Sequence, residues 1–213
     1  MLTPKDHKFL ESQGDAVHSP LGKGVYGIVV LTERKGKQYA VKLSTNWRTH
    51  LQEELTLRSL GSHPNIVTFH SSWSKGQLHA LRMEYVPGRS LLSILEEHPL
   101  SESQAHTLFL QLVYGVYHAH ESQRIVHRDL KAENLILSPD GSKLTIVDWG
   151  MGMEWAKDRP CLQTCGSPDY AAPEIFQKKP YFGPEVDIWS MGVILYAMVT
   201  DRYNLGEDCN DRT

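Results

Sequence analysis

Cysteine is nearly missing from this chain: Cys161, Cys165 and Cys209 are the only three among 213 residues. So sparse and odd a set does not make a disulfide framework, and it points to a reducing, intracellular setting, cytoplasmic or nuclear. Charge of either sign is also not in excess. A net charge of −3 gives no basis for expecting nucleic-acid binding or a polybasic membrane anchor. Long hydrophobic runs are absent, and the longest, Met191 to Val199, is far shorter than the roughly 20 residues a membrane span needs. The first residues are polar and charged, which is not the pattern of a secretory leader. Histidine is plentiful, but His118-x-His120 has no cysteine or carboxylate at metal-ligand spacing, so these rings read as solvated or core histidines. What remains is an ordinary globular composition with enough length for a sizeable core, in one domain or two lobes.

The most informative stretch is Ile125-Val126-His127-Arg128-Asp129-Leu130-Lys131-Ala132-Glu133-Asn134-Leu135-Ile136-Leu137. Apolar residues lead in and out, while cations, carboxylates and an amide crowd the middle. The bland reading is a polar loop. The order His-Arg-Asp-Leu-Lys-x-x-Asn, however, resembles the catalytic loop of eukaryotic protein kinases. Phosphoryl transfer needs positioning and charge neutralisation more than covalent help. The resemblance implies that Asp129 orients the incoming hydroxyl, Lys131 neutralises the transferring phosphoryl and Asn134 holds a magnesium ion.

Other stretches carry the resemblance further. Residues 1–19 lack periodicity and read as a tail or short lead-in strand. Leu21-Gly22-Lys23-Gly24-Val25-Tyr26-Gly27-Ile28-Val29 sets glycines at i, i+2 and i+5 within a β-branched run. Dinucleotide-binding folds use the same glycine spacing, but there a helix follows, and here strand residues follow. Arg34-Lys35-Gly36-Lys37 reads as a hairpin turn into Tyr39-Ala40-Val41-Lys42-Leu43. Lys42 alone could be a solvated edge lysine; in the kinase reading it serves the ATP phosphates. Thr49 to Leu60 is predicted to be a helix ended by Gly61. Glu53 shares a face with Leu57 and Leu60, whereas Glu54 faces Arg58, so Glu53 is the expected partner of Lys42. Ile66 to Phe69 and Leu78 to Tyr85 are predicted strands. Met83-Glu84-Tyr85-Val86-Pro87-Gly88 looks like the hinge between kinase lobes, and equally like a strand ending in a turn. Leu91 to Glu97 is a short predicted helix. After the capping signal Ser101 to Gln104, Leu108, Leu112, Tyr114, Val116 and Ala119 are expected in the core.

Beyond the loop, Asp148-Trp149-Gly150 resembles the kinase Asp-Phe-Gly motif with tryptophan in place of phenylalanine. The larger ring could fill its pocket beside Leu57, Phe69 and His127, or hold the motif out of position. Gly166-Ser167-Pro168-Asp169-Tyr170-Ala171-Ala172-Pro173-Glu174 resembles the end of the activation segment in calcium/calmodulin- and AMP-activated-type kinases. Ser167 with Lys131 is similar to serine/threonine kinases, and Glu133 stands where basophilic members hold a substrate arginine. Where many members carry a phosphorylatable threonine this chain has Gln163, with Thr164 one residue late; a phosphate switch through Arg128 is expected to be absent or displaced. Asp187 is expected to brace the backbone at His127 and Arg128.

The fold implied is α+β and two-lobed: a tail (1–19), an N-lobe antiparallel sheet with one main helix (20–83), a hinge (84–88), a mostly helical, incomplete C-lobe (89–200) and a polar tail (201–213). By the resemblance, ATP meets Leu21, Gly22, Lys23, Gly24, Val25, Tyr26, Gly27, Val29, Ala40, Lys42, Met83, Glu84, Val86 and Ile136, and Mg2+ meets Asn134 and Asp148. Asp129, Lys131, Lys42 and Glu53 form the catalytic set, and Thr164, Ser167 and Glu133 belong to the activation and substrate segment. The expected activity is phosphate transfer to serine or threonine of a protein. The alternative is a catalytically weak nucleotide-binding or interaction module, with a partner over an apolar helix around Ile194 and with Glu174 lacking its arginine. A small-molecule kinase would share the loop but not the 166–174 segment.

Overall fold

The computed structural model describes residues 2–24 and 27–200. Its first element differs from expectation. Residues 1–19 do not form a tail or only a strand, because Pro4–Glu11 is a helix, α1. The Thr3 hydroxyl accepts from the Asp6 amide, the Asp6 carboxylate accepts from the Thr3 amide, and Pro4 occupies the first turn. Aspartate in place of the usual glutamate or glutamine makes this capping box easy to overlook. Phe9 and Leu10 are buried with Val30, Val41, Leu43 and Ala80, so α1 closes one face of the sheet that follows.

That sheet has five antiparallel strands, β1 (Ala16–Gly24), β2 (Gly27–Arg34), β3 (Lys37–Ser44), β4 (Phe69–Lys75) and β5 (Leu78–Glu84), in the order β1-β2-β3-β5-β4. Lys35 and Gly36, with φ of 52° and 75°, make the two-residue turn between β2 and β3. Gly27, at φ 147°, has to be glycine, since a Cβ there would run into the Leu43 carbonyl. A buried pair braces this same face of the sheet. Asp15 meets Arg82 and accepts from Thr32, and the Arg82 guanidinium lies 4.5 Å from the Trp73 ring and 5.6 Å from Tyr39.

Helix α2 (Trp47–Leu60) starts two residues before the expected Thr49, because the Asn46 side chain caps the amides of Arg48 and Thr49. Gly61, at φ 65°, ends it as expected. The strand expected from Ile66 begins only at Phe69. Residues before it bond elsewhere: Val67 N donates to the Ile146 carbonyl at 3.0 Å and Ile146 N to the Asn65 carbonyl at 2.8 Å. These bonds tie the two lobes together.

After residues 85–88 come β6 (Arg89–Ser90), α3 (Leu91–Leu95), α4 (Glu102–Tyr117) and a π turn at His118–Ser122. Ser101 and Gln104 form the capping box of α4. Helix α3 ends two residues short of the expected Glu97. Tyr114 is not in the core; it is 59% exposed, because it sits two positions from both Leu112 and Val116 and off their stripe. Short strands β7 (Ile125–Val126), β8 (Leu135–Leu137), β9 (Leu144–Ile146) and β10 (Met153–Glu154) frame the polar loop, pairing β7 with β10 and β8 with β6 and β9. Helices α5 (Pro173–Phe176) and α6 (Pro184–Val199) complete the described lobe. Met191, Ile194 and Met198 of α6 join the core under α4, while Ile188, Trp189, Tyr196 and Val199 are exposed. Glu174 is half-buried and has no ion pair among the described residues.

Asp15→Ala leaves the Arg82 guanidinium buried without its carboxylate, and urea unfolding is expected to register a loss of about 3–5 kcal/mol. Leu162→Ala, at an exposed position, should stay within about 0.5 kcal/mol of the parent in the same titration.

Candidate active site

Strands β7 and β8 deliver the loop, and Asp187 of α6 holds its backbone. The amides of His127 and Arg128 each donate to the Asp187 carboxylate at 2.8 Å, and His120 Nε2 lies 2.7 Å from it. Arg128 sits at φ 66°, a left-handed conformation that costs a non-glycine residue energy. Burial would raise the Asp187 carboxyl, but His120 and the loop amides outweigh it and hold Asp187 below the usual carboxylate range.

Within the loop, one Asp129 oxygen accepts from Ser167 N at 2.7 Å and Ser167 Oγ at 2.8 Å, and the other lies 3.1 Å from Lys131 Nζ. Lys131 also donates to Ser167 Oγ at 2.8 Å. The Asn134 amide donates to the Asp129 carbonyl at 2.9 Å. Loop and activation segment therefore position each other through one carboxylate, one hydroxyl and one ammonium.

Across the cleft, β3 presents Lys42, which lies 2.8 Å from both Glu53 of α2 and Asp148. Glu53 and not Glu54 makes the pair; Glu54 bonds Arg58 one turn on. Burial opposes every charge in the trio. It pushes the Glu53 carboxyl up, with Asp148 adding to the effect against Lys42. For Lys42, the two carboxylates outweigh burial and raise it above its ordinary value. For half-buried Asp148, Lys42 outweighs burial and lowers it.

Trp149 fills its pocket. It is 1% exposed, in the same core cluster as Leu57 with Phe69 packed against that cluster, and its ring centroid is 4.6 Å from His127. It does not displace Asp148, which still reaches Lys42. The cost is an indole N–H with no hydrogen-bond partner among the described residues.

The lobes enclose a cleft of about 590 Å³. Of the residues expected at the nucleotide, Leu21, Gly22, Lys23, Gly24, Gly27, Val29, Ala40, Lys42, Met83, Val86 and Ile136 line it, as do Asn134, Asp148, Lys131 and Glu133. Glu84 does not line it, and its carboxylate accepts from Thr68 N. Val25 and Tyr26 lie outside the described residues. Added Cβ atoms at Gly22 and Gly24 would meet nothing within 4 Å, so the strand leaves open space over the cleft. Asp148 and Asn134 offer a carboxylate and an amide oxygen, a hard donor pair that suits magnesium, which takes few protein ligands and completes its shell with phosphate and water. The residues present fit Mg-ATP.

The activation segment is anchored at Arg128, whose Nη1 donates to Gln163 Oε1 at 3.0 Å and whose Nε donates to the Met151 carbonyl at 2.8 Å. Thr164 is exposed. Tyr170 is buried beside Glu133, and burial together with that charge pushes its hydroxyl up to about 12. Sequence reasoning missed several supports, including His120 on Asp187 and the Gln52 and Thr56 side chains donating to the Gly152 carbonyl at 2.9 and 3.2 Å. No local pattern marks such contacts between residues far apart in the chain.

A strand-rich lobe over a helical lobe, with this cleft between them, defines a protein-kinase-like fold. The chain belongs to the protein kinase domain family, whose pattern matches residues 16–212. Helix α1 precedes the matched region. NUAK family SNF1-like kinase 2 of Homo sapiens is 38% identical over 188 residues, covering 84% of this chain and 30% of that protein. The same kinase of Rattus norvegicus is 37% identical over equal coverage. Serine/threonine-protein kinase ppk25 of Schizosaccharomyces pombe is 36% identical over 195 residues, 87% of this chain and 46% of the relative. The chain thus spans less than half the length of these relatives.

The depressed Asp187 carboxyl sets a sign for acid stability. Its contribution is complete above the unfolded value near pH 4 and is lost as pH falls through the lower folded value. Asp187→Asn is expected to be less stable at pH 7 and to show a flatter decline below about pH 4 in denaturant titrations at stepped pH. Trp149→Phe removes the unpartnered N–H, worth about 1–3 kcal/mol, and opens a small cavity of similar cost. Its stability should stay within about 1 kcal/mol of the parent, against a loss of about 3–5 kcal/mol for Trp149→Ala.

Proposed function

We propose that this chain transfers the γ-phosphate of ATP to serine or threonine hydroxyls of protein substrates. The observation that carries the reading is Lys42 Nζ at 2.8 Å from both Glu53 and Asp148, which aligns β3, α2 and the cleft floor around one buried ammonium. Lys42 then faces the α- and β-phosphates, with Glu53 holding it. Asp148 and Asn134 hold Mg2+, which when bound neutralises the phosphate oxygens. Asp129 orients the acceptor hydroxyl and receives its proton, while Lys131 stabilises charge on the transferring group. The backbone of Val86, which lines the cleft, faces the adenine. Glu133, exposed at the cleft, favours a basic residue in the substrate.

A second reading rests on the exposed apolar side chains of α6, at 41–58% for Ile188, Trp189 and Tyr196. It is a nucleotide-binding interaction module with a protein partner seated on that face.

Transfer from labelled Mg-ATP to a basic serine peptide tests the first reading. Asp129→Asn should reduce it by about 10²–10⁴-fold with folding intact. A folded parent without transfer, whose melting temperature still rises with Mg-ATP, would support the second reading.

Gln163 already occupies the Arg128 guanidinium without any phosphate. Thr164→Ala is accordingly expected to keep transfer within about threefold of the parent, while Gln163→Ala, which removes a hydrogen bond to a charged group worth about 1.5–3 kcal/mol, should lower it more. Stoichiometric phosphate on Thr164 of active protein, together with inactive Thr164→Ala, would sink this account.

A further inference from the structure

Arg128 is a buried guanidinium with no ion pair to a carboxylate among the described residues. Its partners are the Gln163 side chain, the Met151 carbonyl, the Tyr181 hydroxyl at 3.5 Å and Cys161 Sγ at 3.6 Å. A buried cation strongly favours any neighbour able to take a negative charge. Three ionisable groups surround it: Cys161, Cys165 and Tyr181. Asp129 also faces Cys165, and its charge opposes ionisation there.

The geometry distinguishes the two thiols. Cys161 is held in place by paired backbone bonds to Tyr181, N to O at 2.6 Å and O to N at 3.1 Å. Its sulfur receives the Arg128 guanidinium and, at 3.4 Å, the Gln163 amide. It also contacts the Tyr181 hydroxyl at 3.4 Å. Cys165 Sγ contacts the same hydroxyl at 3.7 Å and receives no guanidinium hydrogen bond among the described residues. Both residues are partly accessible. Burial raises Cys165 and Tyr181 above their ordinary values, whereas at Cys161 the Tyr181, Gln163 and Arg128 contacts outweigh burial and lower it.

We propose that Cys161 is the thiolate counter-ion of Arg128 and the nucleophile of a peroxide-sensitive dithiol, with Cys165 as the resolving thiol. The Cys161 thiolate attacks one oxygen of hydrogen peroxide, the O–O bond breaks, and hydroxide leaves and is protonated by solvent, oxidising the sulfur to a sulfenic acid. The Cys165 thiolate, its proton released to solvent, attacks that sulfur; the S–O bond breaks and hydroxide departs, taking up a solvent proton to become water, which leaves a Cys161–Cys165 disulfide and the peroxide reduced to two waters. Cys165 lies two residues before Ser167, which bonds Asp129, and Gln163 lies midway between the two cysteines in the chain. Closing the link draws this stretch away from Arg128 and Asp129. This consequence for transfer rests on the proposed kinase activity; the thiol chemistry does not.

The test uses the full chain and reads mass before activity. Iodoacetamide labelling followed by peptide mapping should modify Cys161 at pH 7 about tenfold faster than Cys165, consistent with a thiolate below the free value near 8.5. Hydrogen peroxide should make the peptide spanning both residues lighter by about two mass units, restored by dithiothreitol. Cys165→Ser should accumulate a dimedone-reactive Cys161, and Cys161→Ser should leave Cys165 reduced. Labelling of Cys161 no faster than Cys165, or equal peroxide oxidation in Cys161→Ser and the parent, overturns the proposal. Transfer measured alongside should fall on oxidation and return on reduction. A reversible link that leaves transfer unchanged overturns the coupling to Asp129, and a chain that forms the link but never transfers phosphate counts against the kinase reading alone.

Discussion

An ammonium group buried as deeply as Lys42 is tolerable only with negative charge in contact, and this chain draws that charge from two separate places. Glu53 comes from α2 and Asp148 from the end of the segment following β9, so one cation fixes the position of a helix against the sheet and of the sheet against the other lobe. The cleft takes its shape from that constraint. Trp149, adjacent to Asp148, fills the space behind the trio and leaves its own N–H unpartnered, which places packing ahead of hydrogen bonding at this point.

A second buried cation organises the other side of the loop. Arg128 is held at a left-handed φ by Asp187 from below and reaches the activation segment through Gln163. Neutral partners and two thiols surround it in place of a fixed carboxylate. Asp129 lies between these two arrangements, bonded to Ser167 and Lys131, so its orientation depends on both. Charges at the cleft are thus positioned by groups that themselves need positioning, and the contacts between them run between elements far apart in the chain.

Much of this was legible in local patterns. Glycine spacing within a β-branched run marked β1 and β2, and the helical face shared by Glu53, Leu57 and Leu60 selected the partner of Lys42. The turn at Lys35-Gly36 and the cap at Ser101 to Gln104 could be read from a few residues because their hydrogen bonds are local. Helix α1 was missed because its cap uses aspartate, and Tyr114 was misplaced because an apolar side chain was counted without its angular position. Ile66 and Val67 look like strand residues, yet their hydrogen bonds go to β9.

The sequence by itself determined the local conformations and the chemical inventory: which residues form strands and helices, and which loop carries Asp129, Lys131 and Asn134. These depend on backbone preference, capping and short-range periodicity, which are written within a few residues. Only the tertiary structure decided that Asp15 meets Arg82, that Trp149 fits without displacing Asp148, and that Gln163, Cys161 and Tyr181 converge on Arg128. Those outcomes depend on distance and burial between segments tens of residues apart, where a charge or thiol acquires its properties from neighbours that sequence order does not reveal.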